Sequence, residues 1–110
     1  MEKKRTVPSP EYIDELTELV QALVNKGYFS AEKYAQSYVK ALNQYVRTHA
    51  ATASRKPVPD VFCRYGNRLT YFTYNPSAHT TWYIFLEETD QAYIIRHITN
   101  NHIAGQYFNV

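Results

Sequence analysis

Cysteine is scarce in this sequence, with one residue, Cys63, among 110. A single cysteine excludes an internal disulfide and a cysteine-based metal cluster, and it is typical of proteins from a reducing compartment. Because its neighbours are apolar, we expect Cys63 to be a packed and inert thiol. No apolar run approaches the roughly 18 residues of a membrane-spanning helix, and no signal segment follows the charged start. We therefore expect a cytoplasmic protein with no membrane partner.

Several catalytic motifs are missing as well. The sequence has three glycines and no glycine-rich phosphate loop, no Gly-x-Ser-x-Gly turn and no histidine pair at helical zinc spacing. We therefore expect no cofactor and no metal. The length leaves room for one ordinary domain, predicted to cover residues 1–110. With 45% apolar and 20% charged residues, such a domain should fold.

The first half of the sequence predicts a helical hairpin. Apolar residues recur at three- to four-residue steps over residues 10–26, where Ser9 can cap the start and Gly27 can end the helix. A second helix is predicted to follow at once, with Ser30 as its N-cap. Its expected apolar face contains Ala31, Tyr34, Tyr38, Leu42 and Tyr45. The very short connection favours antiparallel packing of the two helices.

The second half of the sequence predicts a sheet. Lys56-Pro57-Val58-Pro59 forbids further helix, and β-branched and aromatic residues dominate afterwards. Four strands are predicted over residues 61–65, 69–74, 80–86 and 92–98, and a short further strand over Arg5–Val7. The short turns favour antiparallel pairing, and the apolar run Trp82–Leu86 predicts a strand covered on one or both faces. The predicted fold class is α+β, with a helical hairpin packed on a curled antiparallel sheet.

The basic excess lies in the middle of the chain. Although the net charge is +2, residues 47–68 carry five basic side chains against Asp60 alone. Such a stretch is typical of a phosphate-binding surface, or else of a solvated linker. The candidates for binding RNA or phosphate are Arg55, Lys56, Arg64 and Arg96. Arg64, Arg68 and Arg96 could converge on one phosphodiester, or Arg96 could pair with Glu87 or Glu88 across a hairpin.

Candidate chemistry also lies in the polar tail, Thr99–Phe108. His102 could transfer a proton near neutral pH, or it could be an ordinary exposed loop histidine. His97 alternates with Tyr93 and Ile95 on the last predicted strand, and this position favours a satisfied residue on the sheet face. Several tyrosines could stack on bases or could simply pack the sheet: Tyr65, Tyr71, Tyr74 and Tyr83.

Three segments resemble the RelE/ParE superfamily of toxins from bacterial toxin–antitoxin pairs. Arg5–Leu16 resembles the family's first strand and first helix, Arg68–Tyr71 its Arg-apolar-x-Tyr strand, and Tyr93–Tyr107 its last strand and C-terminal tail. Together they span nearly the whole chain in the family's order. The resemblance implies the family's α+β fold and an antitoxin as partner. It also implies either RNA on the ribosome or a protein such as gyrase as target.

The resemblance also suggests roles for individual residues. In members that cleave messenger RNA, no metal is needed, because a basic residue and a Tyr or His assist attack by the ribose 2′-hydroxyl and arginines stabilise the phosphate. By position, Arg68 matches the family's strand arginine and Tyr107 its catalytic tyrosine. Where the tail usually carries an arginine, this sequence has Asn100 or Asn101, with His102 beside them. The catalytic candidates are His102, Tyr107 and Arg68, with Arg64 or Arg96 as further replacements for the missing charge.

Three functional hypotheses follow from these observations. The first is a RelE/ParE-like toxin that acts as a metal-independent endoribonuclease. The second is a non-catalytic binding module of the same fold, which engages a protein target or an antitoxin segment through strand or helix addition. The third is a domain that has kept the fold and lost the toxicity.

Overall fold

A computed structural model describes residues 4–108 of the chain. The strands and the two main helices are, in chain order, β1 (Arg5–Pro8), α1 (Pro10–Asn25), α2 (Glu32–His49), β2 (Lys56–Pro57), β3 (Thr70–Ser77), β4 (Thr80–Glu88) and β5 (Ala92–Asn100). A short helix, α3 (Asn101–Ala104), follows β5, and two 3₁₀ helices span Asp60–Tyr65 and Gly105–Tyr107. A helical hairpin packs on a five-stranded sheet, which confirms the predicted α+β class. The predicted domain also includes residues 1–3 and 109–110, which lie outside the described part.

The first helix forms as predicted. The Ser9 hydroxyl accepts a hydrogen bond from the Tyr12 backbone N–H at 3.2 Å, and Pro10 occupies the first turn, where no N–H is needed. Tyr12 and Leu16 are buried, and Gly27 takes a φ of +81° just after the helix ends. No helix in residues 4–108 is long and apolar enough to cross a membrane.

The second helix differs from its prediction at the start and in its buried face. Ala31 rather than Ser30 takes the N-cap position, and it makes no side-chain capping bond. The buried residues are Ala35, Val39, Leu42 and Val46, whereas Tyr34 is exposed. The buried face of α2 is therefore rotated by about one residue from the predicted face, because the prediction places tyrosines from the edge of this face in the core. Tyr38 and Tyr45 lie there, half-buried.

The sheet is mixed, with strand order β1-β5-β4-β3-β2. Strands β3 to β5 pair antiparallel as predicted, and β2, which the sequence did not predict, also pairs antiparallel with β3. Strand β1 lies parallel to β5, with Arg5 opposite Ala92 and Pro8 opposite Ile95. The prediction of an antiparallel sheet is therefore wrong at β1. Parallel pairing needs a long crossover connection, and the segment between β1 and β5, which contains the helical hairpin, provides it.

The strand predicted over residues 61–65 is wrong, because Asp60–Tyr65 is a 3₁₀ helix. Its β-branched and aromatic composition favours a strand, but its inward residues are three apart rather than two. Phe62 is buried and Tyr65 half-buried on the side of the sheet, whereas Val61 is 47% exposed. A spacing of three matches one turn of 3₁₀ helix. The short β2 strand is formed instead by Lys56–Pro57, against Thr70 and Tyr71.

Two apolar clusters lie on the two faces of the sheet. The helix-side core contains Tyr12, Leu16, Val39, Leu42, Val46, Ala50, Phe72, Trp82, Ile84, Leu86, Ile95 and Ile98. The loop-side cluster contains Phe62, Leu69, Tyr83, Phe85 and Ala104, with Val58, Tyr65, Tyr71 and Phe108 packed against it. All five residues of Trp82–Leu86 are buried and alternate between the clusters, which confirms that this strand is covered on both faces.

Candidate functional site

The candidate site lies on the loop side of the sheet, where the 3₁₀ helix Asp60–Tyr65 meets the C-terminal tail. Phe62 holds the two segments together. Its ring packs edge-on against Phe85 of β4 at 5.0 Å and against Tyr107 at 5.5 Å, and it stacks on Phe108 at 5.5 Å. The tail therefore does not trail away from the fold. It covers the loop-side cluster next to the basic stretch of the sequence.

A cation and two rings form a stack beside this junction. The Arg64 guanidinium lies 4.7 Å from the centroid of the Tyr65 ring and donates a hydrogen bond to its hydroxyl at 3.0 Å. The Tyr65 ring in turn stacks on the imidazole of His97 with the centroids 3.8 Å apart. An arginine held by an aromatic ring and its hydroxyl keeps its remaining N–H groups available to a phosphate. We call these three residues, together with Glu15, which contacts His97 as described next, the stacked site.

Glu15 of α1 completes the stacked site from the other side of β5. Its Oε2 lies 2.5 Å from Nδ1 of His97, and its Oε1 accepts the Ile98 backbone N–H at 3.1 Å. The His97 side chain is 12% exposed and that of Glu15 26%, so the carboxylate and the ring meet in a partly buried position. The sequence prediction that His97 is a satisfied residue of the sheet face agrees with this geometry. A carboxylate on Nδ1 also fixes which ring nitrogen can accept a proton.

Arg96 is paired rather than free. Its Nε lies 3.3 Å from Glu87 Oε1, which is the cross-strand pair that the sequence left open as the alternative to phosphate binding. The same Glu87 oxygen lies 2.7 Å from where a β-carbon of residue 66 would stand. Gly66 therefore lets the loop approach this ion pair, which brings the loop between Arg64 and Arg68 close to Arg96.

Arg68 lies at the end of the same loop with an unusual backbone. Its φ is +51°, a conformation that L-residues other than Asn and Asp rarely adopt. The exposed Arg68 side chain lines a shallow cavity of about 250 Å³ together with Asp60 and Cys63. Cys63 is exposed, so the expectation of a packed thiol is wrong. The 3₁₀ helix, unlike a strand, turns this residue away from the core.

The two predicted proton-transfer residues of the tail lie on different sides of the sheet. Tyr107 is 41% exposed and contacts Phe62 on the loop side. His102 is exposed on α3, and its Nε2 lies 3.5 Å from the Thr80 hydroxyl, at the edge of a cavity that reaches Trp82 on the helix side. The structure thus brings Tyr107 to the stacked site's side of the sheet and does not bring His102 there.

The remaining basic candidates are placed differently. Arg55 lies over the Tyr93 ring at 4.7 Å, donates to the Ala50 carbonyl and pairs with Glu88 at 3.4 Å. Lys4 also donates to Glu88; this hydrogen bond raises the pKa of Lys4 and lowers that of Glu88. The Arg55 guanidinium therefore binds groups of the protein itself, which leaves it less available to a phosphate. Lys56 is exposed on β2, opposite Tyr71.

Most tyrosines proposed as base-stacking platforms serve to pack the sheet. Phe108 stacks on Tyr83 at 3.9 Å and meets Tyr71 edge-on at 4.8 Å, while Tyr74 stacks on Tyr45 at 3.9 Å. Burial raises the pKa of the Tyr83 phenol. Tyr65 is half-buried, with His97 stacked on its ring and Arg64 over it, so its ring also packs within the protein.

Glu15 is the functional candidate that sequence reasoning missed. It lies 82 residues from His97 along the chain. From the sequence, an acidic residue near the start of a helix is expected to complement the helix dipole or to face solvent. No local motif links the two positions. Among residues 4–108 no group of three or more His, Cys, Asp and Glu side chains is arranged to hold a metal ion.

Comparisons of the chain with protein-family models, with curated proteins and with solved structures find no match. No relative therefore supplies an activity or a set of site residues.

Proposed function

We propose that this chain is a RelE/ParE-like toxin of a toxin–antitoxin pair that cleaves RNA without a metal on the loop side of its sheet. The order of elements supports the family assignment, because a strand, two helices, antiparallel strands and a packed tail follow one another as the sequence resemblance implies. The basic stretch supports RNA as target, because Arg64 and Arg68 are both exposed on one loop.

The observation that carries the proposal is the stacked site. Phosphate recognition needs a guanidinium with free N–H groups, and proton transfer needs a histidine in a fixed tautomer. Arg64 and His97 provide these two groups, and Tyr65 contacts both of them, with its ring centroid 3.8 Å from that of His97 and 4.7 Å from the Arg64 guanidinium.

The chemistry assigns each group a step. Tyr65 and Phe85 flank the imidazole of His97, and Glu15 occupies its Nδ1, so Nε2 is the edge left for substrate. Nε2 accepts the proton of the ribose 2′-hydroxyl as that oxygen attacks the phosphorus. The bond from phosphorus to the 5′-oxygen breaks, leaving a 2′,3′-cyclic phosphate, and the 5′-oxygen takes a proton. Arg64 stabilises the charge on the phosphoryl oxygens during the attack.

Tyr107 and Arg68 complete this proposal at the margin of the site. Tyr107 is exposed on the loop side, and in this proposal it donates a proton to the leaving 5′-oxygen; the family resemblance implies only that a tyrosine at this position is catalytic. Arg68 offers a second cation from the same loop. His102 lies on the other side of the sheet and has no step here, and its predicted catalytic role stays a prediction.

The test is induction of the full chain in cells, followed by growth curves and primer extension on cellular RNA. We expect growth arrest with discrete new RNA ends. Glu15→Gln keeps an acceptor for the Ile98 N–H but removes the charge behind His97, so cleavage should fall by roughly 10²-fold or more. Arg64→Ala should have a comparable effect, because it removes charge stabilisation worth about 10²–10³-fold.

The matched control is Arg47→Ala, which removes an exposed arginine from the helical layer and should leave cleavage unchanged. Folding of each variant is checked by thermal unfolding. Unchanged RNA ends in both Glu15→Gln and Arg64→Ala would contradict the proposed site. Growth arrest without any RNA cleavage would instead favour the binding-module hypothesis with a protein target.

A further inference from the structure

A cavity of about 330 Å³ lies between the helical hairpin and the far end of the sheet, away from the stacked site. The C-terminal half of α1, the connection to α2, the β3–β4 hairpin and α3 enclose it. Trp82, only 3% exposed, lies at its base, and Leu23 and Phe29 form part of its wall. This volume is at the lower end of the range for small-molecule sites.

The opening of the cavity carries apolar and basic side chains. Ile103 is 68% exposed and Tyr28 63%, although both are large apolar residues and both line the cavity. Lys26 and His102 lie beside them, also exposed. Among residues 4–108, no Asp or Glu side chain lines this cavity. The charged side chain that lines it is the basic Lys26, which favours an anion.

A hydroxyl inside the cavity has a proton to offer. Tyr38 Oη accepts the hydrogen bond from Trp82 Nε1 at 3.0 Å, and in residues 4–108 it donates to no other side chain. Its own O–H is thus available to an acceptor on a ligand. A largely apolar interior with one free O–H near Trp82, and a cation at the opening, favour an elongated ligand with one acidic end.

We propose that this cavity binds a small monocarboxylate with an apolar chain or ring. The apolar part packs against Trp82, Phe29 and Leu23 inside the cavity, and the carboxylate meets Lys26 at the opening. A cavity of about 330 Å³ has room for a ligand of the size of octanoate. The inference does not depend on the proposed RNA cleavage, because it uses none of the same residues.

Trp82 provides a direct readout, since it is the single tryptophan of the chain and lies at the base of the cavity. Titration of the full chain with octanoate should change its fluorescence in a saturable manner. Octanol and octylamine are the matched neutral and cationic probes. We expect octanoate to bind at least threefold more tightly than either of them.

Two variants test where the carboxylate and the apolar part of the ligand bind. Lys26→Gln should weaken octanoate about three- to fivefold, the factor of a partly exposed ion pair, and leave octanol unchanged. Ala22→Phe should fill the cavity and abolish the response to both, while Lys40→Gln, on an exposed part of α2, should change neither. Absence of saturable binding, equal affinity for the three probes, or octanoate binding that survives Ala22→Phe would each overturn the proposal.

Discussion

The two faces of the sheet are covered in different ways, although β4 contributes alternate residues to both. On the helix side, two helices of 16 and 18 residues bury Ile84 and Leu86. On the loop side, a six-residue 3₁₀ helix and the tail cover Tyr83 and Phe85. Long amphipathic helices bury a continuous stripe, whereas short irregular segments leave polar edges. The stability of this fold thus lies on one face and its candidate chemistry on the other.

The largest effect should come from breaking the helix-side core. Ile84 is fully buried there, so Ile84→Ala should lower the free energy of unfolding by about 2–5 kcal/mol, through lost burial and the cavity left behind. The measurement is urea denaturation followed by circular dichroism. Ile84→Val serves as a milder variant, with an expected loss of about 0.5–1.5 kcal/mol. A loss below 0.5 kcal/mol in both variants would mean that the helices do not carry the stability.

The second effect is a pH dependence of the helix side. Burial raises the pKa of Tyr12, whose hydroxyl donates to Asn43 Oδ1 at 2.9 Å. The unfolded chain releases this proton near pH 10, while the folded chain keeps it. The stability from this group is therefore complete below about pH 10 and falls by up to about 1.4 kcal/mol for each pH unit above it.

Tyr12→Phe tests this linkage. Loss of the hydrogen bond should cost about 0.5–1.5 kcal/mol at neutral pH, but the fall of stability between pH 10 and pH 11 should become shallower. Urea denaturation at pH 8, 10 and 11 gives both the loss of unfolding free energy and its dependence on pH. Tyr34→Phe, at an exposed position on α2, is the matched control and should leave the slope unchanged. Equal slopes for Tyr12→Phe and the unaltered chain would argue against a buried phenol.

Breaking the loop-side packing should have a smaller effect than breaking the helix-side core. Phe108 is half-buried and stacks on Tyr83 and Phe62, so Phe108→Ala should cost about 1–2 kcal/mol, less than a fully buried phenylalanine. Hydrogen exchange should accelerate in residues 101–108 and stay unchanged in α1 and α2. Faster exchange throughout the chain would show that the tail supports the whole fold, and the contrast between the two faces would disappear.

Local patterns predicted the helix-side elements well. Ser9 and Pro10 mark the start of α1, and the apolar run Trp82–Leu86 identifies the central strand, because capping and burial are encoded within a few residues. The loop side was predicted poorly for the same reason. The segment 61–65 has strand-like composition, and only its contacts with β4 and the tail reveal a spacing of three rather than two.

The candidate site was predicted only in part. Arg64, Arg68 and Tyr107 could be selected from charge and position, but their neighbours could not. The pair of Glu15 and His97 is 82 residues apart in sequence, and the Arg64–Tyr65–His97 stack depends on a loop folding back over β5. The separation of His102 from Tyr107 follows from α3 and the second 3₁₀ helix, which a polar tail does not reveal.

Glu15 also lies at the edge of strand β5 that β1 leaves unpaired. Strand β1 pairs with only Ala92–Ile95 of β5, and Ser9 bonds to the Ile95 carbonyl before the chain enters α1. The next backbone donor, Ile98 N–H, is bound by the Glu15 carboxylate. A charge placed against an open strand edge resists pairing with strands of other molecules. Loss of Glu15 therefore exposes this edge to a second copy of the chain, so solubility and the proposed catalysis share one side chain.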